Sequence, residues 1–264
     1  MKIAFIGLGN MATAMLKGIL QAGIAAPSDI TGVCHTEKTA ARMCTEYGIY
    51  ASTEITEAVF KADVLFLAVK PAVLSTVANE IAGRGKDSQI IVSVAAGKSV
   101  AWLEEHFGED RKIIRSMPNT PALVGEACTG ITPNENVTDA ELSEIVSIFE
   151  SFGKAYVVKE SMMDAVCAAG GSAPAFVFMF IESIADAAVK NGMPRQTALE
   201  FAAQTVYGSA KLVLDTKRHP GELKDMVCSP GGTTIEGVNV LEEKGFRGTV
   251  MAAVNSAAEK SAKL

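Results

Sequence analysis

Ile3-Ala4-Phe5-Ile6-Gly7-Leu8-Gly9-Asn10-Met11-Ala12 decides the fold of this chain. Residues 3–6 form an apolar run of strand length. A G-x-G-x-x-A sequence follows without a spacer and opens a helical pattern carried by Ala14, Met15, Gly18 and Ile19. Between a strand and a helix, those residues have a joint physical meaning. One glycine makes the turn, the next lets the backbone approach a pyrophosphate, and the alanine allows the helix to pack closely on its strand. Ile6, Gly7, Leu8, Gly9, Asn10, Met11 and Ala12 are therefore candidate contacts to a dinucleotide cofactor.

Working outward, residues 1–155 alternate short apolar runs with amphipathic stretches, the pattern of a mostly parallel Rossmann-type sheet with helices on both faces. Further strands are expected at 30–34, 64–69, 90–94, 112–115, 130–132 and 155–158. The run Val64-Leu65-Phe66-Leu67-Ala68-Val69 is apolar on both faces, as a central strand requires. Thr138 and Glu141 match a capping box ahead of a helix bearing Leu142, Ile145, Val146 and Phe149.

Ligands of open α/β sheets lie beyond the C-terminal strand ends. Those ends hold Ala68, Val69, Lys70 and Pro71, then Ala95 and Gly97, then Asn119 between two prolines. Rigid flanks suit a carboxamide of Asn119 aimed at the nicotinamide, though a simple turn would use the same residues. The second strand ends at Cys34, His35 and Thr36, where an NAD-specific protein would place an acid for the ribose 2′-hydroxyl. No acid occupies that tip; Glu37 comes slightly late, and His35, Thr36, Lys38 and Arg42 suit a 2′-phosphate. NADPH is thus the expected cofactor, with NADH as the alternative.

After Val158 the strand signal stops, dividing the chain into residues 1–160, which bind the nucleotide, and an all-helical part at 161–264. Helices are expected to start at a Ser161/Asp164 cap and at Pro194, Pro220, Thr233 and about Arg247. The most apolar stretch, Ala165 to Val189, contains Pro174, Glu182 and Asp186 and reads as a buried helix rather than a membrane span. Near the end stands Ser229-Pro230-Gly231-Gly232-Thr233-Thr234-Ile235-Glu236. Two glycines opening a helix, with Thr233 and Glu236 at capping-box spacing, make an anion-binding turn flanked by hydroxyls.

Composition removes several function classes. The formal charge of −6, from 24 basic and 30 acidic residues, is spread without a basic stripe and argues against nucleic acid. Five scattered cysteines form no C-x-x-C pair, which argues for reduced thiols and against a disulfide framework or metal site. A strand beginning at residue 3 leaves no room for a signal peptide, so a cytoplasmic protein is expected. His106 and His219 lack a nucleophile or metal partner in sequence and read as structural.

With these residues laid out, the chain resembles pyrroline-5-carboxylate reductases over nearly its full length. The resemblance rests on 5–11, Asp63–Pro71, Arg115–Pro121, Asp164-Ala165-Val166 and, most specifically, His219-Pro220-Gly221-Glu222-Leu223-Lys224-Asp225-Met226-Val227 running into Ser229–Thr234. It departs at Gly170-Gly171-Ser172-Ala173-Pro174-Ala175-Phe176, where the family usually reads Ser-Gly-Ser-Gly-Pro-Ala-Tyr. The resemblance implies NAD(P)H-dependent reduction of 1-pyrroline-5-carboxylate to L-proline, the last step of proline biosynthesis. It also implies a homodimer intertwined through the C-terminal helices, and in some members rings of dimers.

For such a substrate, a cyclic imine bearing a carboxylate, the N–H groups of Gly231, Gly232 and Thr233 would hold the carboxylate. Thr234, with Ser229 as second candidate, would orient the ring nitrogen. The imine is basic enough to arrive protonated, so no strong protein acid is needed. A β-hydroxyacid dehydrogenase shares the layout but needs a lysine in the first helix after the boundary. Asp164 to Asp186 contains none. A non-catalytic NADP sensor, or a purely helical dimerisation scaffold, leaves either the Gly231-Gly232-Thr233-Thr234 turn or the nucleotide loop without a purpose.

Overall fold

The computed structural model describes residues 1–263. Eight strands form one sheet: β1 (Ile3–Ile6), β2 (Ile30–Val33), β3 (Tyr50–Ser52), β4 (Val64–Leu67), β5 (Ile90–Ser93), β6 (Lys112–Met117), β7 (Ala127–Pro133) and β8 (Gly153–Val157). Their order is β3-β2-β1-β4-β5-β6-β7-β8. Helices α1 (Asn10–Gln21), α2 (Glu37–Tyr47), α3 (Glu57–Phe60), α4 (Pro71–Ile81), α5 (Val100–Phe107) and α6 (Asp139–Glu150) join them. All neighbouring pairs are parallel except β6–β7. The exception has a simple cause: β6 and β7 are joined by a single short turn of 3-10 helix, Thr120–Val124, rather than by a crossover helix.

The expected strands all form, with ends displaced by a few residues. Tyr50–Ser52 is an additional strand that carries too short an apolar run to announce itself; it is an edge strand with Tyr50 55% exposed. Alternation along each central strand builds two cores. Ile3, Phe5, Val64 and Phe66 face one layer with α1, α2 and α6, while Ala4, Ile6, Leu65 and Leu67 face the other with α4 and α5. Phe5 stacks on Phe66 at 5.0 Å, and Phe149 meets Phe66 edge-on at 6.1 Å. The Thr138/Glu141 capping box forms as read.

The helical segment holds α7 (Met163–Val166), a π-helical turn at Cys167–Ser172, α8 (Ala173–Lys190), α9 (Arg195–Thr216), α10 (Pro220–Val227), α11 (Thr233–Glu243) and α12 (Phe246–Ser261). Two compact units result: Met1–Gly171 together with the C-terminal residues from Ala257, and Ser172–Ser256. Helical structure thus starts at Glu160, but the division in packing falls later, because α7 and the π-turn belong with the sheet. The expected Ser161/Asp164 cap is replaced by a 3-10 turn at Glu160–Met162, and Asp164 instead accepts a hydrogen bond from Ser261 Oγ at 2.7 Å.

The second unit corrects the expectation of a buried apolar helix. Among the described residues, its fully buried apolar cluster is Ala185, Ala198 and Ala202. Glu160–Lys190 is long and apolar enough to cross a membrane, yet 6% of its most apolar window is buried. Phe178, Met179, Phe201 and Leu214 are each more than 60% exposed. Small residues bring α8 and α9 together while their larger neighbours point away from that contact.

Candidate active site

Four parallel strands deliver their C-terminal ends to one edge of the sheet: β1 with Gly7–Ala12, β2 with Cys34–Thr36, β4 with Ala68–Pro71 and β5 with Ala95–Gly97. The strand order reverses between β2-β1 and β4-β5, which opens a crevice at this edge.

Gly7 has φ +98° and donates its N–H to Val33 O at 2.8 Å. A Cβ there would lie 2.5 Å from Ala68 O and 2.7 Å from Ala68 C, so only glycine fits between β1 and β4. Gly9 differs. It is the N-cap of α1 with φ −79°, makes no side-chain capping bond, and a Cβ on it would meet nothing within 4 Å. The space beside Gly9 is therefore open, next to the positive end of the α1 dipole. Leu8 is buried against Gly32, where a Cβ would come within 2.6 Å of its Cδ1, and Ala12, on the first turn of α1, is fully buried.

At the β2 tip, Cys34 is buried with Sγ directed at Thr36 O and Ser52 O. Burial pushes its thiol up from the ordinary value, so it is an inert packing group. Thr36 caps α2, its Oγ1 accepting from Thr39 N–H at 3.2 Å. Glu37 accepts from Thr53 Oγ1 at 2.8 Å. His35 and Lys38 are exposed at this tip. Lys70 is the N-cap of α4 with Pro71 at N1, and Gly97 turns at φ +76° after the buried Ala95.

Asn119 does not do what its flanking prolines suggest. Its Oδ1 accepts from Cys128 N–H at 2.9 Å and its Nδ2 donates to Gly170 O at 3.0 Å. The carboxamide is spent tying β6 to β7 and to the π-turn, and the residue is 8% exposed. Asn119→Ala is expected to cost about 2 kcal/mol of stability, because two part-buried backbone hydrogen bonds are lost. Asn119→Asp should be no better, since it sets an acceptor against Gly170 O. Chemical denaturation of both variants checks this.

In the second unit, Gly231 turns at φ +65° and Gly232 is the N-cap of α11. Gly232 N–H donates to Ser229 O at 3.0 Å, and a Cβ at 232 would lie 2.3 Å from Ser229 Oγ. The turn is therefore built around a glycine and a serine hydroxyl. The expected Thr233/Glu236 capping box is absent: Thr233 is already the first helical residue, and the cap makes no side-chain bond. The N–H groups at the start of α11 are left for an external acceptor. Ser229, Gly231, Thr233 and Thr234 are all exposed. His219 caps α10 through Nδ1, accepting from Gly221 N–H at 3.0 Å, and His106 stacks on Trp102 at 3.8 Å. Both histidines thus make local contacts within their own helix ends.

The family model described as pyrroline-5-carboxylate reductase dimerisation matches residues 160–264, and the one described as NADP oxidoreductase coenzyme F420-dependent matches residues 2–97. A pyrroline-5-carboxylate reductase of Escherichia coli (strain K12) is 49% identical over 263 residues, spanning 100% of this chain and 98% of the relative. The chain belongs to the pyrroline-5-carboxylate reductase family. A reductase of Methanosarcina acetivorans is 44% identical over 100% of this chain and 97% of its own length. The crystal structure of the Plasmodium falciparum pyrroline carboxylate reductase with NADP bound superposes with a TM-score of 0.90 at 35% identity, covering 99% of this chain and 97% of that one. In this reductase, sequence reading missed Glu160, whose carboxylate reaches Val100 N–H and Arg115; nothing local marks it.

Proposed function

We propose that the chain reduces 1-pyrroline-5-carboxylate to L-proline with NADPH, using the β1–α1 turn for the cofactor and the Ser229–Thr234 turn for the substrate. The observation that carries this reading is the pairing of two uncapped helix starts, α1 behind Gly9 and α11 behind Gly232, in a member of this family. Gly9 and its neighbouring N–H groups would hold the diphosphate, and Ala95 and Gly97 would border the nicotinamide. Bound NADPH supplies the hydride to the imine carbon. Gly231 and Thr233 N–H would fix the substrate carboxylate, Gly232 N–H being taken by Ser229 O within the turn, and Thr234 Oγ1 would orient the ring nitrogen, which arrives already protonated. Rate acceleration then comes mainly from positioning. Loss of NADPH absorbance on adding 1-pyrroline-5-carboxylate, with NADH in parallel, is the direct test; binding of NADPH without oxidation would leave the sensor reading instead.

The uncovered face of α8 and α9 is best accounted for by a homodimer. Pro174, Glu182 and Asp186 suit a protein-covered helix better than a lipid-covered one. Phe201→Glu, at a position 62% exposed in the single chain, is expected to convert the dimer to monomer with little loss of local helix. Sedimentation reads the mass; a dimer as tight as wild type would move the interface elsewhere.

A further inference from the structure

The loop that carries Ala95 and Gly97 is held at its far end by α5. Ser99 caps that helix locally, its Oγ accepting from Trp102 N–H at 3.0 Å. A second acceptor comes from sixty residues away: Glu160 Oε1 takes Val100 N–H at 2.7 Å and Arg115 Nη1 at 3.0 Å. The side chains of Arg115 and Glu160 are 13% and 36% exposed, so the pair is partly shielded from solvent. A carboxylate on the first N–H of a helix also meets the positive end of its dipole. Beside the pair lies a cavity of about 350 Å³ bordered by Gly97, Lys98, Ser99, Trp102 and Arg115.

We propose that Glu160 is a positioning residue of the reductase: its carboxylate pins the start of α5 to β6 and so sets the Ala95–Gly97 loop against the nicotinamide half of the cofactor site. The inference rests on the functional reading above. Glu160 does not touch the cofactor; it acts through Val100 N–H. Removing that donor is a cleaner test than removing the acid. Val100 is the first residue of α5, where proline is tolerated, and Ser99 has the extended backbone (φ −75°, ψ 164°) that a following proline demands.

Val100→Pro and Glu160→Ala are each expected to raise the KM for NADPH roughly tenfold, the worth of one charge-assisted hydrogen bond, with kcat changed about threefold at most. Val100 is also a buried core residue, so Val100→Pro should lower Tm modestly, and it is the rise in KM for NADPH that carries the test. Glu160→Gln, which still offers an amide oxygen to Val100 N–H, should recover most of the cofactor affinity. A lowered Tm with unchanged KM in both Glu160→Ala and Val100→Pro would make the contact a mere brace and overturn the proposal, as would a Glu160→Gln as impaired as Glu160→Ala. Fluorescence titration with NADPH gives the same comparison without turnover. A wild-type protein that binds NADPH but reduces no imine would refute the functional reading and leave this loop test standing.

Discussion

Gly7→Ala is expected to abolish NADPH binding and to lower Tm by on the order of 10 °C, whereas Gly9→Ala should lose the cofactor while keeping its stability. The two glycines sit two residues apart and answer to different constraints. At Gly7 the added methyl would be 2.5 Å from Ala68 O, in a backbone conformation at φ +98°. Overpacking costs about 1–3 kcal/mol, and left-handed strain adds about 1–2 kcal/mol. Neither strand can yield, because β1 and β4 are hydrogen-bonded partners at the centre of the sheet. At Gly9 the backbone is ordinary and the methyl enters open space, so the folded state loses nothing. That space is where the diphosphate must approach the first N–H groups of α1. Thermal melts with and without NADPH separate the outcomes. A Gly9→Ala protein that binds NADPH like wild type would remove this turn from the cofactor site.

Thr234→Ala is expected to lower kcat by about 100-fold with NADPH affinity unchanged within about twofold. Thr234 is exposed on the first turn of α11, so the loss of its side chain should leave stability within about 0.5 kcal/mol. Its hydroxyl has one use on this reading, to hold the ring nitrogen of a substrate whose carboxylate sits on the N–H groups before it. Thr234→Ser retains the hydroxyl and should retain most of the rate, while Thr234→Val, which keeps the shape, should behave like alanine. Turnover unaffected in Thr234→Val would take the hydroxyl out of the mechanism and leave only the backbone N–H groups. Ser229→Ala is the informative companion. Because Ser229 Oγ packs where a Cβ at 232 would be, its loss should loosen the turn and raise the substrate KM more than it lowers kcat.

Much of this was legible from residue order because its causes are local. A four-residue apolar strand, a glycine that must turn and an alanine that must pack lie within ten positions, and each is a property of near neighbours. The same holds for the Thr138/Glu141 box and for His219, which finds Gly221 N–H two residues on. Errors arose where a local signal met a competing local geometry. Thr233 and Glu236 have capping-box spacing, but Gly232 takes the N-cap and shifts the helix start by one residue. Cys34 and Thr36 stand at the β2 tip as read, yet their polar atoms serve the fold first.

What the sequence by itself determined is the order of elements, the glycine turn between β1 and α1 and the family, since backbone preferences and side-chain periodicity act over a few residues. What only the tertiary structure decided lies in pairs far apart in the chain. Asn119 was aimed at a ligand by its flanking prolines, but Cys128 N–H and Gly170 O reach it first. Glu160 meets Val100 only because β6 carries Arg115 beside both. The most apolar helix is left largely exposed because Ala185 on its other face takes the contact with α9, leaving phenylalanine and methionine facing outward. A hydrogen bond or a contact face between distant residues depends on where the sheet carries them, and no window of sequence contains that distance.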